Sequence, residues 1–147
     1  MNRKYLTVFL WAIAGIIIDQ TSKFIVKSNF ELDQSVKLIK NIFHLTYLNN
    51  SGAGFGILQQ QNTILIFISI AVIGIIFYYL SVIKDNELYA QILCSLILSG
   101  TIGNLIDRIS YGYVIDFLDF RIWPVFNFAD AFVTIGVFGL VIYLWNK

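Results

Sequence analysis

FNFADAFVTIGVFGLVIYLW, residues 126–145, holds a single charged side chain, Asp130, in an otherwise apolar run. Twenty such residues are the length a helix needs to cross a hydrocarbon core of about 30 Å. The stretch therefore reads as a membrane-spanning helix. It also poses a chemical question, because an acid inside a spanning segment is costly and marks a functional position by default. From about Val125 the carboxylate lies roughly 7.5 Å into the helix at the α-helical rise.

The rest of the chain agrees with a bilayer as solvent. Apolar residues make up 58% of the 147 residues and charged residues 13%, about half the charged share of a soluble domain. Net charge is +1, so no basic tract points to nucleic acid. The single cysteine, Cys94, excludes an intramolecular disulfide and any Cys-rich metal site. With one histidine, His44, a His-rich zinc centre is also excluded. No metal and no cofactor is expected. His44 itself reads as a packed or interfacial side chain.

Three further segments reach spanning length, and the chain reads as one integral membrane domain, residues 1–147. The spans fall at about 5–26, 64–83, 88–106 and 125–145. The middle two carry no charge. The first has a basic start and an A-x-A at Ala12 to Ala14, as a cleaved signal peptide would. Ile16, Ile17 and Ile18 continue the apolar run beyond it, so the segment is read as a retained span. It reaches full length only by continuing through Asp19 and Lys23, which four residues apart can pair on one helix face.

The connections differ. Residues 84–87 form a tight polar turn. Residues 28–62 include VKLIKNIFHLTYL, rich in β-branched and aromatic residues, followed by the turn signal NNSG. A small antiparallel β platform at the membrane surface is expected there. The third connection, SYGYVIDFLDFRIWP, is also apolar and aromatic, with Tyr111, Tyr113, Trp123 and Pro124 suited to the interface. By parity both long connections share one side of the membrane. Counting Lys and Arg leaves the orientation open: Arg3, Lys4, Lys84 and Lys147 lie on the side of the termini. Lys23, Lys27, Lys37, Lys40, Arg108 and Arg121 lie on the other.

Most acids gather on that second side. Asp19, Asp107 and Asp130 lie near the ends of three helices, with the amides of Asn104 and Asn127 beside them. Such polar groups can merely hold helices together, but their convergence favours a polar pocket opening to one surface. Ser95, Ser99 and Gly103 form a small-residue stripe suited to close helix packing. Asp19 has Lys23, Asp107 has Arg108 and Asp119 has Arg121 as cationic neighbours in sequence, whereas Asp116 and Asp130 have none. Two unpaired carboxylates close together in a pocket of low dielectric retain one proton between them, giving an acid and a base. That is machinery for peptide hydrolysis without a metal or a covalent nucleophile.

DQTSK (19–23), NNSGAGFG (49–56), GTIGNLIDR (100–108), YVIDFLDF (113–120) and WPVFNFADAF (123–132) together resemble the lipoprotein signal peptidases, or signal peptidase II. The resemblance covers nearly the whole chain. It implies four transmembrane helices, a small β platform and an amphipathic loop at the outer face of the bacterial cytoplasmic membrane. It implies an aspartic endopeptidase that cleaves prolipoproteins before the diacylglyceryl-modified cysteine, with membrane lipid as its surroundings; a monomer is expected, although the sequence does not show the oligomeric state. By motif the catalytic pair falls on Asp116 and Asp130. The surrounding residues are Asp19, Lys23, Asn50, Gly52, Asn104, Arg108 and Asn127. Asn50 and Arg108 are expected to position the substrate backbone and Asn104 and Asn127 to orient the aspartates, with Asp19 and Lys23 mainly structural. Gly54 and Gly56 replace the family's commoner alanine and serine, which loosens the turn beside Asn50. A proton-coupled transporter would place its essential acid near mid-membrane, and a scaffold would tolerate loss of both aspartates.

Overall fold

A computed structural model of the chain describes residues 3–53 and 57–147. Gly54 and Gly56 lie outside the described residues. The elements run α1 (Arg3–Asn29), β1 (Ser35–Ile39), β2 (Phe43–Asn50), α2 (Asn62–Val82), α3 (Leu88–Tyr111), β3 (Val114–Asp119) and α4 (Phe128–Trp145). All four helices are long and apolar enough to cross a membrane. Without water to satisfy them, backbone groups in hydrocarbon must bond within the segment, which a helix does. Large apolar side chains such as Phe67, Tyr78 and Phe138 point outward, as lipid-facing positions require.

α3 is the most enclosed of the four and forms the centre. Val8 and Ala12 of α1, Ile76 and Leu80 of α2, and Cys94, Ile97 and Leu98 of α3 form one buried cluster. The small-residue stripe permits this closeness. A Cβ on Gly103 would lie 2.5 Å from Asp19 Oδ2 and 3.4 Å from the Ala129 side chain, so only glycine lets α1 and α4 approach α3 here. The Ser95 and Ser99 hydroxyls are satisfied within their own helix, by the carbonyls of Gln91 and Leu96.

Hydrogen bonds fix the helix ends relative to one another. Lys4 donates to the Ile83 carbonyl at 2.8 Å and pairs with Asp85 at 3.4 Å. Tyr143 and Lys147 both donate to Glu87 at 2.7 Å. The start of α1, the end of α4 and the α2–α3 turn therefore share one end of the bundle. At the opposite end Asn62 donates to the Arg108 carbonyl, and there the sheet sits.

The sheet has three antiparallel strands in the order β1-β2-β3. The expected platform at 28–62 supplies two of them. The third comes from the segment read as a loop: VIDFLD is β3, with Asp116 opposite Leu48 and Val114 opposite Asn50. Phe126 adds a bridge to Leu118 on the far side of β3. Val26, Tyr47, Ile115 and Phe117 pack the sheet onto the end of α1. Helix ends also shift from the sequence reading: α1 runs on to Asn29, α3 runs on to Tyr111, and α4 begins at Phe128.

Candidate active site

The two aspartates without a cationic neighbour in sequence arrive from different elements. Asp116 lies in β3 and Asp130 in the first turn of α4. Asn127 joins them. It is the N-cap of α4, in extended conformation at φ −130° and ψ 179°, and is fully buried. Its Oδ1 accepts from the Asp130 N–H at 2.9 Å, and its own N–H donates to Asp130 Oδ2 at 3.3 Å, a reciprocal capping box. Its Nδ2 donates to Asp116 Oδ1 at 2.7 Å. One residue thus starts the helix and bonds both carboxylates, Asp116 through its side-chain amide and Asp130 through its backbone N–H.

Capping alone does not account for Asp130. Its other oxygen, Oδ1, accepts from Asn104 Nδ2 at 2.8 Å, and the residue lines a cleft of about 480 Å³. The cleft lies between α2 and α4 over α3. Ile68, Val72 and Val137 give it apolar walls, and Asn50, Asn104 and Arg108 gather with Asp130 at its polar end. A second cavity of about 510 Å³ lies against Phe120, Ile122 and Ile135, and shares Trp123, Phe126, Asp130 and Thr134 with the first.

Asp116 stands behind this surface, only 2% exposed. Asn50, from the end of β2, covers it by donating to Oδ2 at 2.8 Å. Burial first, and then the charge of Asp130, push the Asp116 carboxyl up to about 7, against the opposing pull of the Asn50 and Asn127 hydrogen bonds and the Lys23 charge. Near neutrality Asp116 is therefore poised to hold or release a proton. Asp119, on the same strand, goes the other way. Burial would raise it, but donors from Thr46 and Arg121 outweigh that and hold it low.

Behind Asn104 lies a buried ionic cluster. Lys23 Nζ is 2.9 Å from Asp19 Oδ2 and 2.9 Å from Asp107 Oδ2, all three side chains being 2% exposed or less. Asp19 also accepts from the Ala129 N–H at 2.9 Å, satisfying a donor at the N-terminus of α4. Asp107 accepts from the Ile115 N–H, which ties α3 to β3. The expected Asp107–Arg108 pairing gives way to Asp107–Lys23, because adjacent residues on a helix point in different directions. Arg108 instead reaches toward the Gly52 carbonyl, at 3.5 Å, while Gly52 N–H donates to Asn50 Oδ1. A Cβ on Gly52 would come within 2.8 Å of the Ile57 carbonyl oxygen, so this tight loop needs glycine.

Asp19, Lys23, Asn50, Asn104, Arg108, Asp116, Asn127 and Asp130 thus gather around one site, and Gly52 shapes its rim. Asn50 contacts Asp116, so it touches the candidate dyad as well as the cleft. Gln20 was missed in the sequence reading. It donates to Asp19, to Asp107 and to the Gly103 carbonyl, and an amide one residue from an acid in a spanning helix was the available signal. His44 lies away from the site, in β2 opposite Asp119 and beside Ser35. Among the described residues no group of three His, Cys, Asp or Glu side chains is arranged to hold a metal ion.

Comparison with known proteins identifies the family and the fold. The family model described as Signal peptidase (SPase) II matches residues 11–146. The lipoprotein signal peptidase of Halothermothrix orenii is 42% identical, over 95% of this chain and 96% of its own. That of Streptococcus thermophilus is 40% identical, over 100% and 96%. A bacterial membrane enzyme solved by the in meso method at 2.3 Å superposes with a TM-score of 0.90 at 33% identity, over 95% of this chain and 88% of that one. A second, at 1.9 Å, gives a TM-score of 0.86 at 34% identity. With the family model spanning nearly all of a four-helix chain, this protein belongs to the signal peptidase II family.

Proposed function

We infer that the chain is an aspartic endopeptidase that removes signal peptides from prolipoproteins, cutting before the diacylglyceryl-modified cysteine. One observation carries the site assignment. Carboxylates from β3 and α4 are both held by Asn127, the first by its side-chain Nδ2 and the second by its backbone N–H, at the polar end of an apolar-walled cleft. A lipid-anchored peptide suits that cleft: its acyl chains stay among lipid and apolar side chains while the peptide bond reaches the acids.

The chemistry follows from the dyad. The pair shares one proton: Asp116, raised to about 7, carries it as the acid, and Asp130 serves as the base. Asp130 takes a proton from the attacking water as its oxygen bonds to the scissile carbonyl carbon, and Asp116 gives its proton to the carbonyl oxygen. In collapse the C–N bond breaks. Asp130 then returns its proton to the cysteine amine, and a hydroxyl of the tetrahedral intermediate reprotonates Asp116. The dyad ends as it began. Asn104 and Asn127 hold the acids, and Arg108 with the Asn50–Gly52 loop aligns the peptide backbone. A monomer suffices, since every one of these groups comes from one chain. The site faces the outer side of the bacterial cytoplasmic membrane, where both long connections lie.

Incubating the purified protein with a diacylglyceryl-modified prolipoprotein tests this. Mass spectrometry should find a product beginning at the lipidated cysteine and none from the unmodified precursor. Equal cleavage of both, or of neither, would refute the assignment. Labelling of cysteines introduced in residues 35–42 of intact cells reads the orientation: reaction with an impermeant reagent is expected, and protection would reverse it.

A further inference from the structure

Lys23 is almost completely buried, and two carboxylates are enough to neutralise it. It makes a third contact that charge balance does not require. Its Nζ donates to Asn104 Oδ1 at 2.9 Å. The same amide presents its other end, Nδ2, to Asp130 Oδ1 at 2.8 Å. An amide can be turned end for end, and reversal here would set a carbonyl oxygen against the Asp130 carboxylate. Lys23 opposes that reversal, because an ammonium can only donate. Asn127 Nδ2 also donates to Asn104 Oδ1, at 3.2 Å, but its two N–H bonds are shared among three acceptors, the others being the Ile115 carbonyl and Asp116.

We propose that Lys23 is a positioning residue for the peptidase reaction: by gripping Asn104 Oδ1 it fixes the donor that Asn104 aims at Asp130, and so holds that carboxylate in its working orientation at the cleft. The proposal rests on the reading of Asp116 and Asp130 as the catalytic pair. The charged groups that act on the dyad are Lys23 on α1, with its partners Asp19 and Asp107, and Arg108 on α3, besides the dyad members themselves. Of the cations among these, Lys23 is the one bonded to Asn104, and it is buried. Its charge also acts directly on Asp116, opposing the rise that burial imposes. A brace that merely joined α1 to α3 would need Asp19 and Asp107 alone.

The test is a cycle of Lys23→Met, Asn104→Ala and the double variant, read as kcat, KM and pH profile on diacylglyceryl-modified prolipoprotein. Lys23→Met is expected to lower kcat about 100-fold, as for a misaligned catalytic group, with KM unchanged. The acid limb of the kcat profile should move up by about one pH unit, since a cation favouring the ionised dyad is gone. In the Asn104→Ala background the same change should have little further effect. Equal fold-losses in both backgrounds, or an unmoved acid limb, would make Lys23 a structural brace and overturn the proposal. Should Lys23→Met fail to fold, Lys23→Met/Asp107→Asn removes a carboxylate with the ammonium and keeps an acceptor for Ile115 N–H, with Asp107→Asn as its reference. If that protein also fails to fold, Lys23 serves the fold alone and the proposal falls. Asp116→Asn and Asp130→Asn run alongside: activity in either would sink the dyad reading itself, a result separable from any Lys23 outcome.

Discussion

Replacing Asn127 by serine separates two roles that its side chain performs at once. Serine keeps an oxygen to accept from the Asp130 N–H, and at an N-cap it is about as good as asparagine. It has no counterpart to Nδ2, which donates to Asp116 Oδ1 at 2.7 Å. A hydrogen bond to a charged group is worth about 1.5–3 kcal/mol, so kcat should fall about 10- to 100-fold at 1.36 kcal/mol per decade. The pH dependence follows in sign. Asp116 is already raised to about 7, and the Asn127 donor works against that rise by favouring the ionised form. Without it the protonated form persists to higher pH, and the alkaline limb of kcat should move up by about one unit. Asn127→Ala also loses the cap, a further cost of about 1 kcal/mol, and should melt about 3 °C lower than the serine variant. Steady-state kinetics from pH 5 to 9 with thermal melts of both variants check this. A serine variant with wild-type kcat and an unmoved alkaline limb would refute the reasoning.

Gly103→Ala places a methyl 2.5 Å from Asp19 Oδ2, and Asp19 is held by Lys23, Gln20 and the Ala129 N–H. Overpacking of this kind should destabilise by about 1–3 kcal/mol, seen as a lower melting temperature; an unchanged one would mean the helices separate freely. At the opposite end of the bundle, hydrogen bonds first from Lys147 and then from Tyr143 hold Glu87 down to about 2. Its stabilising contribution is therefore present above the ordinary glutamate value of 4.5 and lost as pH falls toward 2. Glu87→Gln should melt below wild type at pH 7 and converge with it at pH 2; a constant gap across that range would contradict the assignment.

Residue types alone carried the reading a long way where partners are close in sequence. Asp19 and Lys23 are four residues apart, so one helix turn predicts their contact, and the structure shows it at 2.9 Å. Asp119 and Arg121 likewise meet. Asp130 stood out because an acid in an apolar helix has few explanations. Contacts made across long loops were not legible. β3 escaped notice because VIDFLD is buried on both faces but for Leu118, so it lacks the alternation that betrays a half-exposed strand, and its partner β2 lies more than sixty residues earlier. Lys23 was read through its neighbour Asp19, whereas its bonds to Asn104 and Asp107 span more than eighty residues. Asn127 looked like an amide on the same face as Asp130. Its position as N-cap, with its side chain turned back to meet Asp116, depends on where α4 begins.

The central claim is that Asp116 and Asp130 share the work of a single hydrolytic step, one as acid and one as base. Asparagine at either position keeps the shape and removes the proton chemistry. The direct measurement is single-turnover cleavage of diacylglyceryl-modified prolipoprotein by Asp116→Asn and Asp130→Asn proteins shown by melting temperature to be folded. Loss of cleavage in both, by at least about 10³-fold as expected for removing a catalytic acid or base, is the predicted result. Near wild-type turnover in either folded variant would contradict the account.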